Sequence, residues 1–351
     1  MEKEKYIQCN VQEILATIRV HEVRKEEIDM VHKLKIEEMI YIYKQMMKIR
    51  FVDKLMDIEY KKENIRGFCH LSIGQEGIYT ALEYMMDDDI VVSSYRCHGI
   101  AYVSGCRTRE IMQEVLGRQG GVSKGKGGSM HLYNSHFFGG HGIVGAQIPL
   151  GVGIAYAIKY KERVLGSKSQ KGKVSYVFYG DGAANQGQAW ESFNMAMVWK
   201  LPIVFVCENN RYGMWTPAES VSADTNFYLR GGRIPGIRVP HNNIFGLISV
   251  LGYARKHSAE KGPIIVQIDT YRLCTHSTVD SKETYRSKEE VDRERKNDCM
   301  EDIRKRLLEF RSEEELGELE RCVLEEVEKD MDAAKKSKPT EESELFKDVF
   351  L

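Results

Sequence analysis

No charge sign dominates this 351-residue chain: 51 Lys and Arg stand against 52 Asp and Glu, a formal net charge of −1. That balance excludes the electrostatic footprint of a dedicated nucleic-acid binder or of a polybasic membrane-surface protein. Nor is any run apolar enough to cross a bilayer. The longest uncharged stretch, 127–158, carries Ser129, His131, Asn134, Gln147, Pro149 and many glycines, so no apolar helix of about 20 residues fits inside it. The eight cysteines, at 9, 69, 97, 106, 207, 274, 299 and 322, form no CxxC pair and no short regular spacing. They read as reduced intracellular thiols, not as a disulfide framework. The opening MEKEKYIQCNVQE has no apolar signal core and is too acidic for an ordinary transit peptide. Internal repeats are absent. Neither nucleic acid nor membrane is expected as a partner.

What is present is enough apolar material for a core, 42% of residues, arranged in three zones. Residues 1–63 are charged and helix-like. Within them IEEMIYIYKQMMKIRFVDKLMDIEYKK repeats apolar residues at three- and four-residue intervals, as an amphipathic helix does. From 64 to 286 glycine concentrates and short β-rich runs appear: DIVVSSY at 89–95, VSYVFYGDG at 174–182, PIVFVCENN at 202–210 and PIIVQIDTY at 263–271. Near-continuous Val, Ile and Phe bounded by polar or Gly/Pro signals predict strands buried on both faces. A helical pattern, QAWESFNMAMVWK at 188–200, lies between two of them. The alternation predicts an α/β fold with a parallel central sheet flanked by helices. From 287 to 351 charge returns, as in a solvated helical region packed on the same domain.

Two stretches carry the chemistry, VFYGDGAANQG at 177–187 and VFVCENNRYGM at 204–214. Each crosses the carboxyl end of a predicted buried strand, where open α/β sheets place ligands. Gly180, Asp181 and Gly182, expected to enter a helix, would let a phosphate approach the backbone and meet free N–H groups. Asp181 would repel a bare phosphate unless a divalent cation sits between them. Asn209 and Asn210 offer amide oxygens for that cation, and the Tyr212 carbonyl offers another. One carboxylate, one amide, one carbonyl, two diphosphate oxygens and a water make an octahedral oxygen shell suited to Mg²⁺. GDG alone is a weak signal; GDG, 26 intervening residues and then NN at the next strand end is a strong one.

That pairing is the thiamine diphosphate motif. With RGFCHLSIGQEG (66–77), SYRCHG (94–99), GKGGSMHLY (125–133), GIVGAQIPLG (142–151), GDGAANQGQ (180–188), CENNRYGM (207–214) and TYRLCTHS (270–277), the chain resembles the alpha subunits of thiamine diphosphate-dependent 2-oxo acid dehydrogenases, above all their pyruvate branch. The likeness runs from about residue 36 to 310, in the family's motif order. It implies a thiamine diphosphate-binding domain at 64–286 and the cofactors thiamine diphosphate and Mg²⁺. It implies a beta subunit that completes the site in an α2β2 heterotetramer. The implied reaction is oxidative decarboxylation of pyruvate, with the acetyl group passing to a lipoyl group of a partner acyltransferase and on to acetyl-CoA. By position, Tyr95 and Arg96 should touch the diphosphate, and Asp181, Asn210 and the Tyr212 carbonyl should ligate the metal. Gly182 and Ala183 should lie around the diphosphate, and Gly142 and Val144 should line the aminopyrimidine. His276 matches the family's active-site histidine and His70 its substrate-contacting one; near-neutral pKa values would suit both to proton handling. Ser277 matches a position phosphorylated in eukaryotic relatives, and Thr284 stands where a second such serine falls. Tyr285 and Arg286 match a loop pair used near the lipoyl partner.

The chain also departs from the pattern. Cys274 stands where the family usually has a second histidine, Thr275 where it has glycine, Trp215 where it has a small residue, and Pro217 where animal relatives have a phosphorylated hydroxyl. These positions bear on loops and regulation rather than on the metal shell. Two alternatives accompany the main reading: a branched-chain 2-oxo acid or acetoin dehydrogenase alpha subunit, and a non-catalytic regulatory homologue. The resemblance implies a mitochondrion or mitochondrion-derived compartment, with the cytosol as the other option.

Overall fold

A computed structural model describes residues 5–280 and 285–348. Its centre is a seven-stranded sheet built from β1 (Arg19–His21), β2 (Ile90–Ser94), β3 (Phe137–His141), β4 (Ser175–Gly180), β5 (Ile203–Asn209), β6 (Gly236–Pro240) and β7 (Ile264–Asp269). In space they run β1-β6-β7-β5-β4-β2-β3. All neighbours are parallel except β1, which closes one edge antiparallel to β6. The strands predicted at 89–95, 174–182, 202–210 and 263–271 are β2, β4, β5 and β7. The chain leaves β2 for β3 on one side, then crosses back to β4 on the other. This reversal opens a crevice above the carboxyl ends of β2 and β4, the place where doubly wound sheets bind ligands.

Both sheet faces are covered, which is why the central strands are apolar throughout. The helices that matter are α1 (Ile36–Lys61), α2 (Glu76–Met85), α3 (Gln147–Arg163), α4 (Gly187–Trp199), α5 (Ile244–Lys261), α6 (Cys299–Leu308) and α7 (Glu313–Lys336). Tyr176, Phe178, Val204 and Val206 point to one face, into a core shared with α1, α2, α5, α6 and α7. Val177, Tyr179, Phe205 and Cys207 point to the other, against α3 and α4. Each large apolar side chain buried in this way contributes roughly 1.5–3 kcal/mol.

The terminal zones are more than solvated helix. The N-terminal stretch supplies β1 as well as short strands at Tyr6–Gln8 and Lys33–Lys35. In α7 the charged residues alternate with buried Leu316, Val323, Val327 and Met331, which spread an apolar stripe against the core.

An ion cluster locks α1 to the site. Arg50 on α1 grips the Glu76 carboxylate through Nε and Nη2 at 2.6 and 2.7 Å, and Asp298 through Nη1 at 2.7 Å. All three residues are buried. Among the described residues, no helix is long and apolar enough to cross a membrane.

Candidate active site

A cavity of about 720 Å³ opens over the carboxyl ends of β2, β4 and β5. The residues to which the sequence gave cofactor, substrate or phosphorylation roles line it: His70, Tyr95, Arg96, Gly142, Val144, Asp181, Gly182, Ala183, Asn210, Tyr212, His276 and Ser277; Asn209, Tyr285 and Arg286 do not. Thr284 lies outside the described residues. The strand register explains the convergence. Gly180 pairs with Glu208, so the GDG turn and the NN turn leave the sheet side by side.

One local expectation fails. Gly182 does not begin the α-helix: a single 3-10 turn, Ala183–Asn185, follows the GDG turn, Gln186 is extended, and α4 starts at Gly187. Arg230 braces this turn. Its Nη1 donates to the Ala184 carbonyl and to Asn185 Oδ1, both at 2.7 Å, engaging a carbonyl that a continuous helix would use. The N–H groups facing the cavity therefore belong to a turn, not to a helix end.

One guanidinium, Arg96, lines this end of the cavity, and a second, Arg272, is buried behind it. Arg96 donates to the backbone carbonyls of Leu71 and His276. Arg272, which the sequence did not single out, reaches Asn210 Oδ1 and the Tyr212 carbonyl, each at 3.4 Å. Among the described residues neither has a carboxylate partner, and burial together with Arg96 lowers the pKa of Arg272. Burial pushes the Asp181 carboxyl up to about 6 despite an N–H bond from Asn210. Each charge is costly as it stands and matched by what the sequence expects here, an anion beside the guanidinium groups and a cation beside Asp181. The Asn210 and Tyr212 oxygens already converge on a cationic group through long contacts, so their aim suits a divalent ion. The residues fit a diphosphate–metal pair. The described residues contain no cluster of three His, Cys, Asp or Glu, which a mixed carboxylate, amide and carbonyl shell does not require.

Toward the mouth, His70, Tyr95 and His276 form a three-ring cluster, with centroids 4.3 Å apart for His70–Tyr95 and 5.3 Å for His70–His276. Burial first, and Arg96 next, drive the two imidazoles down to about 2 for His70 and about 3 for His276, not near neutrality. Both rings are neutral, and the Nδ1 of each is buried without a protein partner. Phe68, Met214 and Trp215 are exposed along the same rim. Trp215 sits at the tip of a hairpin, Tyr212–Gly213 against Thr216–Pro217.

Loops close the remaining walls. Arg286 is buried and donates to the carbonyls of Arg272 and Cys274, so it fixes the segment that carries His276. On the other side, the Glu114 carboxylate accepts four backbone N–H groups, from Ser123, Gly125, Gly127 and Gly128, at 2.7–3.2 Å. That anchors the glycine-rich loop leading to cavity-lining Met130. Gln75 and Glu208, on the floor, were not assigned from sequence either; Glu208 is raised to about 7 by burial.

A parallel α/β sheet that gathers a buried guanidinium and the Asp181, Asn210 and Tyr212 oxygens at adjacent strand ends has the layout of a cofactor-dependent enzyme chain. Residues 43–343 match the family described as dehydrogenase E1 component. The chain is 45% identical over 322 residues to the pyruvate dehydrogenase E1 component subunit alpha, mitochondrial, of Schizosaccharomyces pombe, covering 90% of this chain and 76% of that protein. The Saccharomyces cerevisiae protein of the same name is 41% identical over 320 residues, 89% of this chain and 74% of that one. A testis-specific form from Rattus norvegicus is 44% identical over 297 residues, 83% and 74% respectively. This chain belongs to the dehydrogenase E1 component family.

Proposed function

We propose that this chain is the alpha-type subunit of a heteromeric enzyme that oxidatively decarboxylates pyruvate and passes the acetyl group to a lipoyl group of a partner acyltransferase. The observation that carries the reading is the pairing, in one cavity, of the Arg96 guanidinium, which lacks a carboxylate partner among the described residues, with Asp181, Asn210 and Tyr212, and with Arg272 buried behind them. Thiamine diphosphate, when bound, supplies a cationic ring that accepts the electrons released as carbon dioxide leaves. The protein's own groups orient and stabilise. Tyr95 and Arg96 hold the diphosphate, and Arg96 suits this because its planar fork donates parallel hydrogen bonds. Asp181, Asn210 and the Tyr212 carbonyl hold Mg²⁺. Gly182 and Ala183 border the diphosphate, while Gly142 and Val144 line the aminopyrimidine. His276 and His70, neutral and with open Nδ1 atoms, can exchange hydrogen bonds with substrate or cofactor.

A beta subunit, completing an α2β2 assembly, is supported by the outer surfaces of α3 and α4. They expose Tyr156, Tyr160, Trp190, Val198 and Trp199, with the Tyr156 ring against Tyr160 and Trp199, large apolar side chains of the kind a subunit interface covers. The mitochondrial names of the relatives support a mitochondrion or mitochondrion-derived compartment. The test is co-purification with the candidate beta chain, native mass spectrometry with cofactor quantification, and acetyl-lipoyl formation from pyruvate against 2-oxoisovalerate. A heterotetramer that binds no thiamine diphosphate, or that prefers the branched acid, sinks the proposal.

A further inference from the structure

Gln75 is 1% exposed and lines the cavity, yet neither its Nε2 nor its Oε1 meets a protein hydrogen-bond partner. A buried amide with both ends open is expensive, and folds retain such a group where something else satisfies it. Its backbone is fixed on three sides. Glu76, the next residue, is gripped by Arg50 and accepts the Gly74 N–H at 2.9 Å. Gly74 lies so close to the strand-end segment after β7 that a Cβ there would sit 2.7 Å from the Tyr271 carbonyl, and its φ of +98° also demands glycine. One helical turn beyond Gln75, the Tyr79 hydroxyl donates to Glu208 at 2.9 Å, tying α2 to the strand end beside the GDG turn. On the other side the Leu71 carbonyl receives Arg96. Gln75 thus shares the cavity lining with Arg96 and the GDG turn, on a fixed backbone and with a side chain that makes no hydrogen bond to the protein.

We infer that Gln75 is a further cofactor-binding residue, its Nε2–H donating to an anionic phosphoryl oxygen. The inference rests on the proposed thiamine diphosphate site. A neutral donor suits that position: it adds a hydrogen bond to the anion without adding a third buried positive charge.

The test uses the full chain assembled with its beta subunit, carrying Gln75→Leu or Gln75→Glu, and calorimetric titration with thiamine diphosphate and with inorganic diphosphate. The leucine variant is expected to bind both about tenfold more weakly, and the glutamate variant, which sets a carboxylate against the anion, about a hundredfold. Without cofactor, the leucine variant should melt at the same temperature as wild type or higher, because an open buried amide has been removed. Binding within about twofold of wild type in both variants overturns the inference. So does a weakened KM for pyruvate with unchanged cofactor affinity, which would give the amide to the substrate carboxylate. A melting temperature that falls in step with affinity also overturns it, as that marks a purely structural side chain. Wild-type protein that binds no thiamine diphosphate takes down the proposed function as well.

Discussion

Arg96 Nη2 donates to the backbone carbonyl of His276 at 3.0 Å, joining residues 180 apart in sequence. The guanidinium that lines the cavity therefore also pins the loop carrying the imidazole. If Arg96 holds the diphosphate as proposed, cofactor binding and loop order are coupled through one side chain. Arg96→Met should weaken thiamine diphosphate binding by about tenfold or more and speed amide exchange over 274–280. Lysine should rescue little, because a point charge cannot reproduce the fork. Exchange measured by mass spectrometry checks the loop, and titration checks the cofactor; a variant whose loop stays protected would separate the two roles.

Acid sensitivity should trace in part to the imidazoles. His276 drops from 6.5 to about 3 on folding, so the unfolded chain binds the extra proton first as pH falls. The stability this group contributes is whole above pH 6.5 and is lost progressively toward pH 3. Between pH 7 and 5 the loss is about 2 kcal/mol. His276→Gln should flatten that limb of the curve of melting temperature against pH. An unchanged slope would show the ring to be protonated in the folded chain.

Arg50→Met should be among the most destabilising single changes in the chain. It leaves Glu76 and Asp298 buried and facing one another, and breaking a buried ion cluster in this way costs about 3–5 kcal/mol. Because Glu76 adjoins Gln75, cofactor affinity should fall together with the thermal midpoint. Loss of one without the other would show that the cluster does not support the site.

Ser277 is buried against the cavity, its N–H donating to Asp280 at 3.0 Å and its carbonyl accepting from Thr275 at 2.7 Å. A negative group there would stand beside Asp280 and facing the anion site. Ser277→Glu is expected to lower acetyl transfer at least about tenfold, with Ser277→Ala close to wild type. Equal turnover in the two variants would remove any regulatory role from this position.

The central strands and the convergence of the GDG and NN turns were legible because their signals are local: unbroken apolar runs, then glycines beside an acidic or amide side chain. Less local features escaped. Strand β3 reads FFGGH, two glycines in five residues on a sheet edge, so no apolar run announces it. Strand β6 carries Arg238, which pairs with Asp269 at 2.5 Å and breaks the buried pattern. Arg272 sits in a motif that was recognised, yet its contact with the Tyr212 carbonyl spans 60 residues. Glu208 and Tyr79 meet across 129 residues. Gln75 was invisible for a different reason: only the fold shows which amides find no partner.

Glu114 carries a last consequence. The run GRQGGVSKGKGG has the composition of a nucleotide cradle, and its lysines would strengthen that impression. In the folded chain its concave row of N–H groups is already filled by a carboxylate that belongs to the protein. The loop holds an acidic group of its own, attached through the backbone, and the N–H groups of Ser123, Gly125, Gly127 and Gly128 are not open to a nucleotide phosphate. A glycine-rich signature here marks an internal plug. The polyanion site proposed above, at the GDG turn, is therefore not duplicated by these four N–H groups.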